Sequence, residues 1–459
     1  MQRTSTAARI AALAAVGALF LGACSSDSDS GSKDTSKETA KTTTTVAEEG
    51  PESTATAPED NGGRKEGDGE LVIGAVLPQS GNLSALGPAM IQGGAMAVED
   101  INAAGGVLGK DVKYIVKDDG GAADDDLALT GAEELINNEG VDLILGAAAS
   151  GTTKSIIDSV VSSGTAQCSP SNTGSDLTQW ADKGLYFRTP PVDDLQAQAL
   201  AKVISDDGHV NVAIIAQNSD YGTGFVRYLA PALKDGGAEV VENVTYDLSG
   251  TGIDAEVEKI VQSEPDAVAL IGYAEDGGKV LAEMIKQDAG PDNLPIYVTD
   301  GMQSNELFKL VDEANPASTA GIRGTAASAA PEAGASFFPE AFKAFAPEVE
   351  SPIYSAQSYD CVILTALAAT KAESDAPFDI AKEMIAISGG VGVADDAEKC
   401  NTYVDCIKLL GEGKDIDYDG AAGVLDFTEY GEPSEGSYDV YTFGDDGSYT
   451  TDEQLVIGG

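Results

Sequence analysis

Leu71-Val72-Ile73-Gly74-Ala75-Val76-Leu77 is an unbroken apolar run, the length of a buried strand rather than of a helix. The residues after it turn it into one unit of a repeat. Residues 88–102 read as a helix with Pro88 in the first turn, where its fixed φ suits the helix and its missing N–H is not needed. Strand 112–116, helix 124–138 with acidic residues at its start, strand 141–145, helix 153–162 and a shorter strand ending near Cys168 continue the alternation. A second series runs through helix 195–206, strand 211–216, helix 221–235, strand 239–246, helix 255–263, strand 267–271, helix 276–288 and strand 296–299. Such alternation predicts an α/β fold of mostly parallel sheets flanked by helices on both faces. The strands are too many for one compact open sheet, so two similar lobes are expected. Ligands of open α/β sheets bind beyond the C-terminal ends of strands, which directs the search for chemistry to the loops at those ends.

Upstream of this body the composition changes twice. Arg3 and Arg9 precede an apolar stretch over 10–20, at about a dozen residues too short to span a membrane. It ends in Leu21-Gly22-Ala23-Cys24, which resembles a bacterial lipobox. On that reading 1–23 is a lipoprotein signal peptide, and Cys24 carries a lipid that holds an exported chain to the outer face of the cytoplasmic membrane. An ordinary secretory signal with an incidental Cys24 is the other reading. Residues 24–69, rich in Ser, Thr, Asp, Glu, Lys and Gly, hold too little apolar surface to offset ordering entropy and are expected to form a disordered tether.

The formal net charge is −49, from 27 basic and 76 acidic residues, the wrong sign for nucleic acid. Beyond Cys24 the chain has Cys168, Cys361, Cys400 and Cys406, an even number suited to an oxidising compartment. Three pairings are formally possible. The closeness of Cys400 and Cys406 favours a local staple, which leaves Cys168 for Cys361. No His neighbours these cysteines and no C-x-x-C spacing occurs, so a zinc site is disfavoured.

Several loops together resemble one family. They are Val72-Ile73-Gly74-Ala75-Val76-Leu77-Pro78-Gln79-Ser80-Gly81, then Glu99-Asp100-Ile101-Asn102-Ala103-Ala104-Gly105-Gly106-Val107-Leu108-Gly109, then Ser169-Pro170-Ser171-Asn172-Thr173, Asp220-Tyr221-Gly222, and Tyr359-Asp360 opening an apolar helix to Ala369. In this order and spacing they resemble the type I periplasmic binding proteins for leucine, isoleucine and valine that serve ABC importers. The resemblance implies two lobes joined by three crossovers, with 70–191 and 323–430 in the first lobe and 192–322 and 431–459 in the second. It also puts Cys168 and Cys361 in the same lobe.

The resemblance further implies a pocket. Ser150, after the third strand with Ala149 before it, would grip a ligand carboxylate, and a helix N-terminus there suits an anion. Helix capping is the plainer role for Ser150. Thr173 would donate to the same carboxylate, and the Ser171 carbonyl would accept from an ammonium, with Asn172 beside them. Asp300 would pair with that ammonium, or else serve only to form the turn before Gly301. Tyr221, Tyr273 and Tyr354 would wall the side-chain pocket. The first lobe is expected to hold both charged ends of the ligand and the second to add aromatic contacts. Leu86 stands where relatives often carry an aromatic, Ser171 and Asn172 replace smaller residues, and Asp300 is one carbon shorter than the Glu of leucine binders. Amides, urea and small organic acids are therefore alternative ligands.

Other motifs carry less. The stretch 146–155 echoes a phosphate loop, but Thr152 stands where Lys is needed and Lys154 comes two places late. Asp415-x-Asp417-x-Asp419-Gly420, with Asp426 in twelfth place, matches a calcium loop except for its last ligand. His209 is the only histidine, which leaves a Ser-His-Asp or metal-His enzyme little to work with. The expectation is a lipid-anchored binding protein with no cofactor, no metal and no catalysis. It would deliver an amino acid to a membrane permease and its ATPase, or signal its capture through a partner.

Overall fold

The computed structural model describes residues 66–329, 331 and 336–458. The expected signal peptide, Cys24 and the expected tether as far as 65 lie outside them. The end of the expected tether lies within and is held: the amides of Asp68, Gly69 and Glu70 all donate to one Asp375 carboxylate oxygen, at 3.0, 2.7 and 2.8 Å. The ordered chain thus begins before Glu70.

Two sheets carry the fold. The smaller contains β1 (Val72–Leu77), β2 (Lys113–Asp118), β3 (Leu143–Gly146), β4 (Ala166–Ser169) and β5 (Tyr186–Arg188), in the order β2-β1-β3-β4-β5 and all parallel. Every residue of β1 and β3 is buried, as their unbroken apolar sequences require of strands covered on both faces. The larger sheet contains β6 (Asn211–Gln217), β7 (Glu239–Tyr246), β8 (Ala267–Ile271), β9 (Ile296–Val298) and β10 (Arg323–Ala327). A short pair, β11 (Glu398–Cys400) and β12 (Ile416–Tyr418), stands apart, and β13 (Glu435–Phe443) and β14 (Tyr449–Gly458) return to the larger sheet. Its order is β14-β13-β10-β9-β8-β6-β7, antiparallel only at β13 and β14. The expected lobe boundary at 322/323 needs correction: Arg323–Ala327 pairs with β9 and β13, so the second crossing between sheets lies beyond Ala327.

The chain crosses between the sheets three times: after β5, after β10 and before β13. The helix Ser355–Ala372 packs on the helix Gly87–Ala103 of the smaller sheet's layer. Two of the crossings are pinned together by Arg188 of β5 and Glu432 ahead of β13. The Arg188 Nε donates to the Glu432 carboxylate at 2.9 Å, and the pair is buried. Both expected disulfides are present. Cys168–Cys361 ties β4 to the helix Ser355–Ala372, and Cys400–Cys406 closes a short loop between β11 and the helix Tyr403–Gly411.

The calcium-like segment is used otherwise. Residues 416–418 form β12, Lys399 pairs with Asp417 and Asp419 at 3.1 and 2.9 Å, and Lys371 pairs with Asp415. His209 sits in the turn before β6, edge-on to Tyr297.

Candidate ligand-binding site

Strand order reverses at β1/β3 in the smaller sheet and at β6/β8 in the larger. Beyond the carboxyl ends of strands at such switch points, adjacent loops part and leave a crevice. Here both crevices open onto one cavity. Leu83 and Leu86 reach it from the loop after β1, and Met90 from the first turn of the next helix. Ala148, Ala149 and Ser150 come from the loop after β3, and Ser171 and Thr173 from the loop after β4. Tyr221 comes after β6, Tyr273 after β8, Asp300 and Gly301 after β9, and Tyr354 precedes the helix Ser355–Ala372. Eight of the nine residues expected from the sequence thus meet. The cavity is tight, with about 20 Å³ open to the centre of a water, room for roughly one molecule of water. A larger hollow of about 380 Å³ flanks the edge strand β5 and is lined by Trp180, Tyr186 and Tyr430 among others. It lies at neither switch point, so volume alone does not make it the site.

Asn172 is the ninth residue and does not line the cavity. Its amide turns inward, donating to the Ala147 and Ala148 carbonyls at 3.1 and 2.8 Å and accepting from the Tyr186 hydroxyl at 2.8 Å. Those buried carbonyls need donors, and Asn172 braces the loop after β3 by supplying them. Arg188 holds the same floor from below, donating to the Gly174 carbonyl at 2.8 Å.

The hydroxyls of the smaller-sheet side are already sorted by role. Ser150 is the first residue of the helix Ser150–Ser162, and its Oγ accepts from the Gly174 amide at 3.1 Å. Its own hydrogen remains available, next to helix amides that have no intrahelical acceptor. Ser171 Oγ instead donates to the Ala148 carbonyl at 3.0 Å, so its hydrogen is spent. Asp119, at the end of β2, accepts from the Ala148 amide at 3.0 Å and steadies the turn. Burial pushes its carboxyl up to about 7, against the pull of that amide and the Gly121 amide.

The larger-sheet side is acidic. Asp300 accepts from the Gln196 amide at 2.8 Å and from the hydroxyls of Tyr221 at 3.0 Å and Tyr354 at 2.6 Å. Burial raises its pKa, and those neutral donors pull it back; among the described residues no ion pair to Asp300 is found. Tyr354 reaches it from a left-handed backbone, φ 63°, a conformation that costs a non-glycine residue about 1–3 kcal/mol and persists only when its surroundings demand it. The Tyr221 and Tyr273 rings lie parallel with centroids 5.5 Å apart. Asp300 therefore stands on the larger-sheet side, whereas the expectation put the partners of both charged ends in the first lobe.

Behind Asp300 lies a second acid that sequence reading missed. Asp193 opens the helix Asp193–Asp206 and is fully buried, and burial pushes its pKa well above the usual carboxylate range. A helix N-terminus favours a carboxylate by up to about 2 kcal/mol. Burying an uncompensated charge costs several kcal/mol, so burial wins. Asp193 and Gln196 are three apart on one helix face, a spacing that marks two polar residues sharing an environment. That was the available signal. Leu83 and Met90 left none, since apolar residues near a helix start read as core.

The comparisons agree with this fold. The family model described as "Periplasmic binding protein" matches residues 70–393. Among curated proteins, the "Chemotactic signal transduction system substrate-binding protein BasB" of Halobacterium salinarum is 27% identical over 374 residues, 80% of this chain and 85% of that protein. The "Leu/Ile/Val-binding protein BraC3" of Rhizobium johnstonii is 28% identical over 248 residues, 53% of this chain and 65% of that protein. Among solved structures, the leucine-binding protein LivK of Thermotoga maritima superposes with a TM-score of 0.68 at 21% identity, covering 84% of this chain and 99% of that one. LivJ of Streptococcus pneumoniae, solved with isoleucine, gives 0.67 at 22% identity, covering 85% and 100%. The chain belongs to the periplasmic binding protein family, whose members bind solutes rather than catalyse reactions.

Proposed function

We propose that this protein captures an amino acid between its two lobes and presents it to an ABC importer at the membrane. The observation that carries the ligand class is the charge layout of the cavity. Asp300 is buried among neutral donors and has no ion pair among the described residues, while Ser150 and the helix behind it offer hydrogens to an anion. An α-amino acid supplies both missing partners at once. The lobes would part about the three crossings to admit it, since the cavity as it stands holds about one water. Tyr221, Tyr273, Leu83, Leu86 and Met90 would receive an apolar side chain. Export fits the family and the two disulfides. No helix among the described residues is long and apolar enough to cross a membrane. A lipid on Cys24 would supply the attachment.

A receptor role is the second reading, favoured by the chemotactic relative from Halobacterium salinarum. Both roles use the same cleft. A thermal-shift screen of the body from residue 66 onward against the amino acids, small amides and short organic acids tests the ligand class. A ligand at a hundred times its Kd adds about 2.7 kcal/mol of apparent stability. A melting temperature unmoved by every amino acid contradicts the proposal. Reconstituted uptake with a permease separates delivery from signalling.

A further inference from the structure

We propose that Arg188 is a positioning residue for the ligand's carboxylate. Through the carbonyls of Asn172 and Gly174 it fixes the loop that carries Thr173 and orients Ser150, and through Glu432 it ties that loop to the hinge. The ligand half of this inference rests on the amino-acid reading above; the loop half rests on hydrogen bonds alone.

A buried guanidinium that served only an ion pair would need one carboxylate. Arg188 is 0% exposed and directs its N–H groups three ways. Nε and Nη2 donate to Glu432. Nη2 also donates to the Thr178 hydroxyl at 2.7 Å, and Thr178 donates onward to Glu432 at 3.1 Å. Nη1 donates to the carbonyls of Gly174 at 2.8 Å and Asn172 at 3.4 Å. These bonds use all five donors of the planar fork. The two carbonyls flank Thr173, whose own carbonyl accepts from the Asp193 amide at 2.8 Å. Three successive carbonyls are thus held, and with them the rigid peptide planes of the loop.

The Gly174 amide donates to Ser150 Oγ at 3.1 Å. A Cβ added at 174 would stand 2.9 Å from that oxygen, so a larger residue would push the serine away. Because Ser150 accepts there, its own hydrogen is left for an anion. Hydrogen bonds therefore run from Ser150 through Gly174 and Arg188 to Glu432. Arg188 ends β5 at the first crossing, and Glu432 stands in the third, ahead of β13. None of the four residues belongs to the larger sheet, so the anion end of the site is assembled before the lobes close.

The test has a ligand-free arm and a ligand arm, each with two variants. Arg188→Lys keeps a cation beside Glu432, but its donors sit on one nitrogen and cannot serve both the carboxylate and the carbonyls across the fork. Arg188→Met combined with Glu432→Leu removes both buried charges together, a change that folded proteins often tolerate. In hydrogen exchange followed by mass spectrometry without ligand, the segment 170–178 should exchange at least about tenfold faster in both variants than in wild type, while β1 and β3 stay protected. Unchanged exchange over that segment overturns the proposal. In calorimetry, both variants should lose about tenfold to a hundredfold in affinity for L-isoleucine, but less than about threefold for L-isoleucinamide, which lacks the anion. Equal losses for the two ligands overturn the positioning role, since a general loosening would not tell them apart. A wild type that ignores isoleucine counts against the amino-acid reading, and the exchange rates then decide the loop by themselves.

Discussion

On the smaller-sheet side the cavity is lined by Ala149, Ser150, Ser171 and Thr173, none of them charged. On the larger-sheet side it is lined by Asp300 under the hydroxyls of Tyr221 and Tyr354. Both sides are built alike, from loops after parallel strands at a switch in strand order. They differ in which groups fill those loops. One side spends its side chains so as to leave hydrogens free beside a helix N-terminus. The other buries an acid among neutral donors. The same topology thus gives an anion-seeking face and a cation-seeking face. A zwitterion would bridge them, and its two ends would be satisfied together only with the lobes closed. Under the proposed function, ligand binding and closure are then one event, since the closed form alone offers both partners.

The contrast can be broken at several points. The largest effect concerns bracing. Cys168–Cys361 closes a loop of 193 residues on the smaller-sheet side, whereas Cys400–Cys406 spans only 6. In the chain-entropy model the long bridge stabilises by about 5 kcal/mol and the short one by about 2. Replacing both cysteines of the long bridge by Ser should lower the unfolding free energy in urea by far more than the same change at the short one. Equal losses would show that loop closure is not what the long bridge supplies.

Next comes the acidic face. Asp300→Ala leaves a ligand ammonium buried without its counter-charge, at a cost of about 3–5 kcal/mol, a loss of a hundredfold or more in affinity. Asp300→Asn should be nearly as damaging for an amino acid and nearly silent for a neutral amide. Calorimetry on the two variants thus also reads the ligand class. Ser150→Ala removes one hydrogen bond to a charged group, about 1.5–3 kcal/mol, or roughly tenfold to a hundredfold. If Ser150→Ala binds like wild type, the anion-seeking assignment of that face is wrong.

The smallest effect lies at the mouth, where the two sides touch. Lys154 of the helix Ser150–Ser162 lies 3.3 Å from Asp220 of the helix Asp220–Asp235. Arg227 of that same helix reaches Asp176, beside the smaller sheet, at 2.8 Å. Arg227 is largely exposed, so its pair is expected to contribute less than about 1 kcal/mol. Arg227→Gln should quicken ligand release about twofold to fivefold at low salt and change little at high salt, where screening already weakens the pair. Stopped-flow release at two salt concentrations measures it. A change independent of salt would mean that packing, not charge, holds the mouth.

The βα alternation was legible because long periodic segments announce themselves. Strands β1, β3, β6 and β8 and the helices between them fall within a few residues of expectation. Helices after strands begin earlier than expected, at Ser150, Asp193 and Ala274, because the loops ahead of them are so short. Of the three-residue strands, β9 stood out as the apolar Ile-Tyr-Val, whereas β5, β11 and β12 contain charged residues and make no apolar run. β10 reads Arg-Gly-Thr-Ala-Ala, with too little apolar bulk to stand out. In the site, Ser150, Tyr221 and Asp300 stand just past strands, and the family resemblance picked them out of those loops. Asn172 was misplaced because its side chain turns to the Ala147 and Ala148 carbonyls and the Tyr186 hydroxyl, partners that only the packing of neighbouring strands brings together.

The sequence alone determined the class of fold, the cysteine pairs to expect and which loops could carry a site. These come from local periodicity, spacing and the rule that parallel strands present their ends to one crevice. Only the tertiary structure decided that the acid stands opposite the hydroxyls, that Asn172 turns away, and that Asp193 lies buried behind Thr173. Each of those depends on which chain segments pack together, because burial and the supply of hydrogen-bond partners set both the direction of a side chain and the charge it can hold.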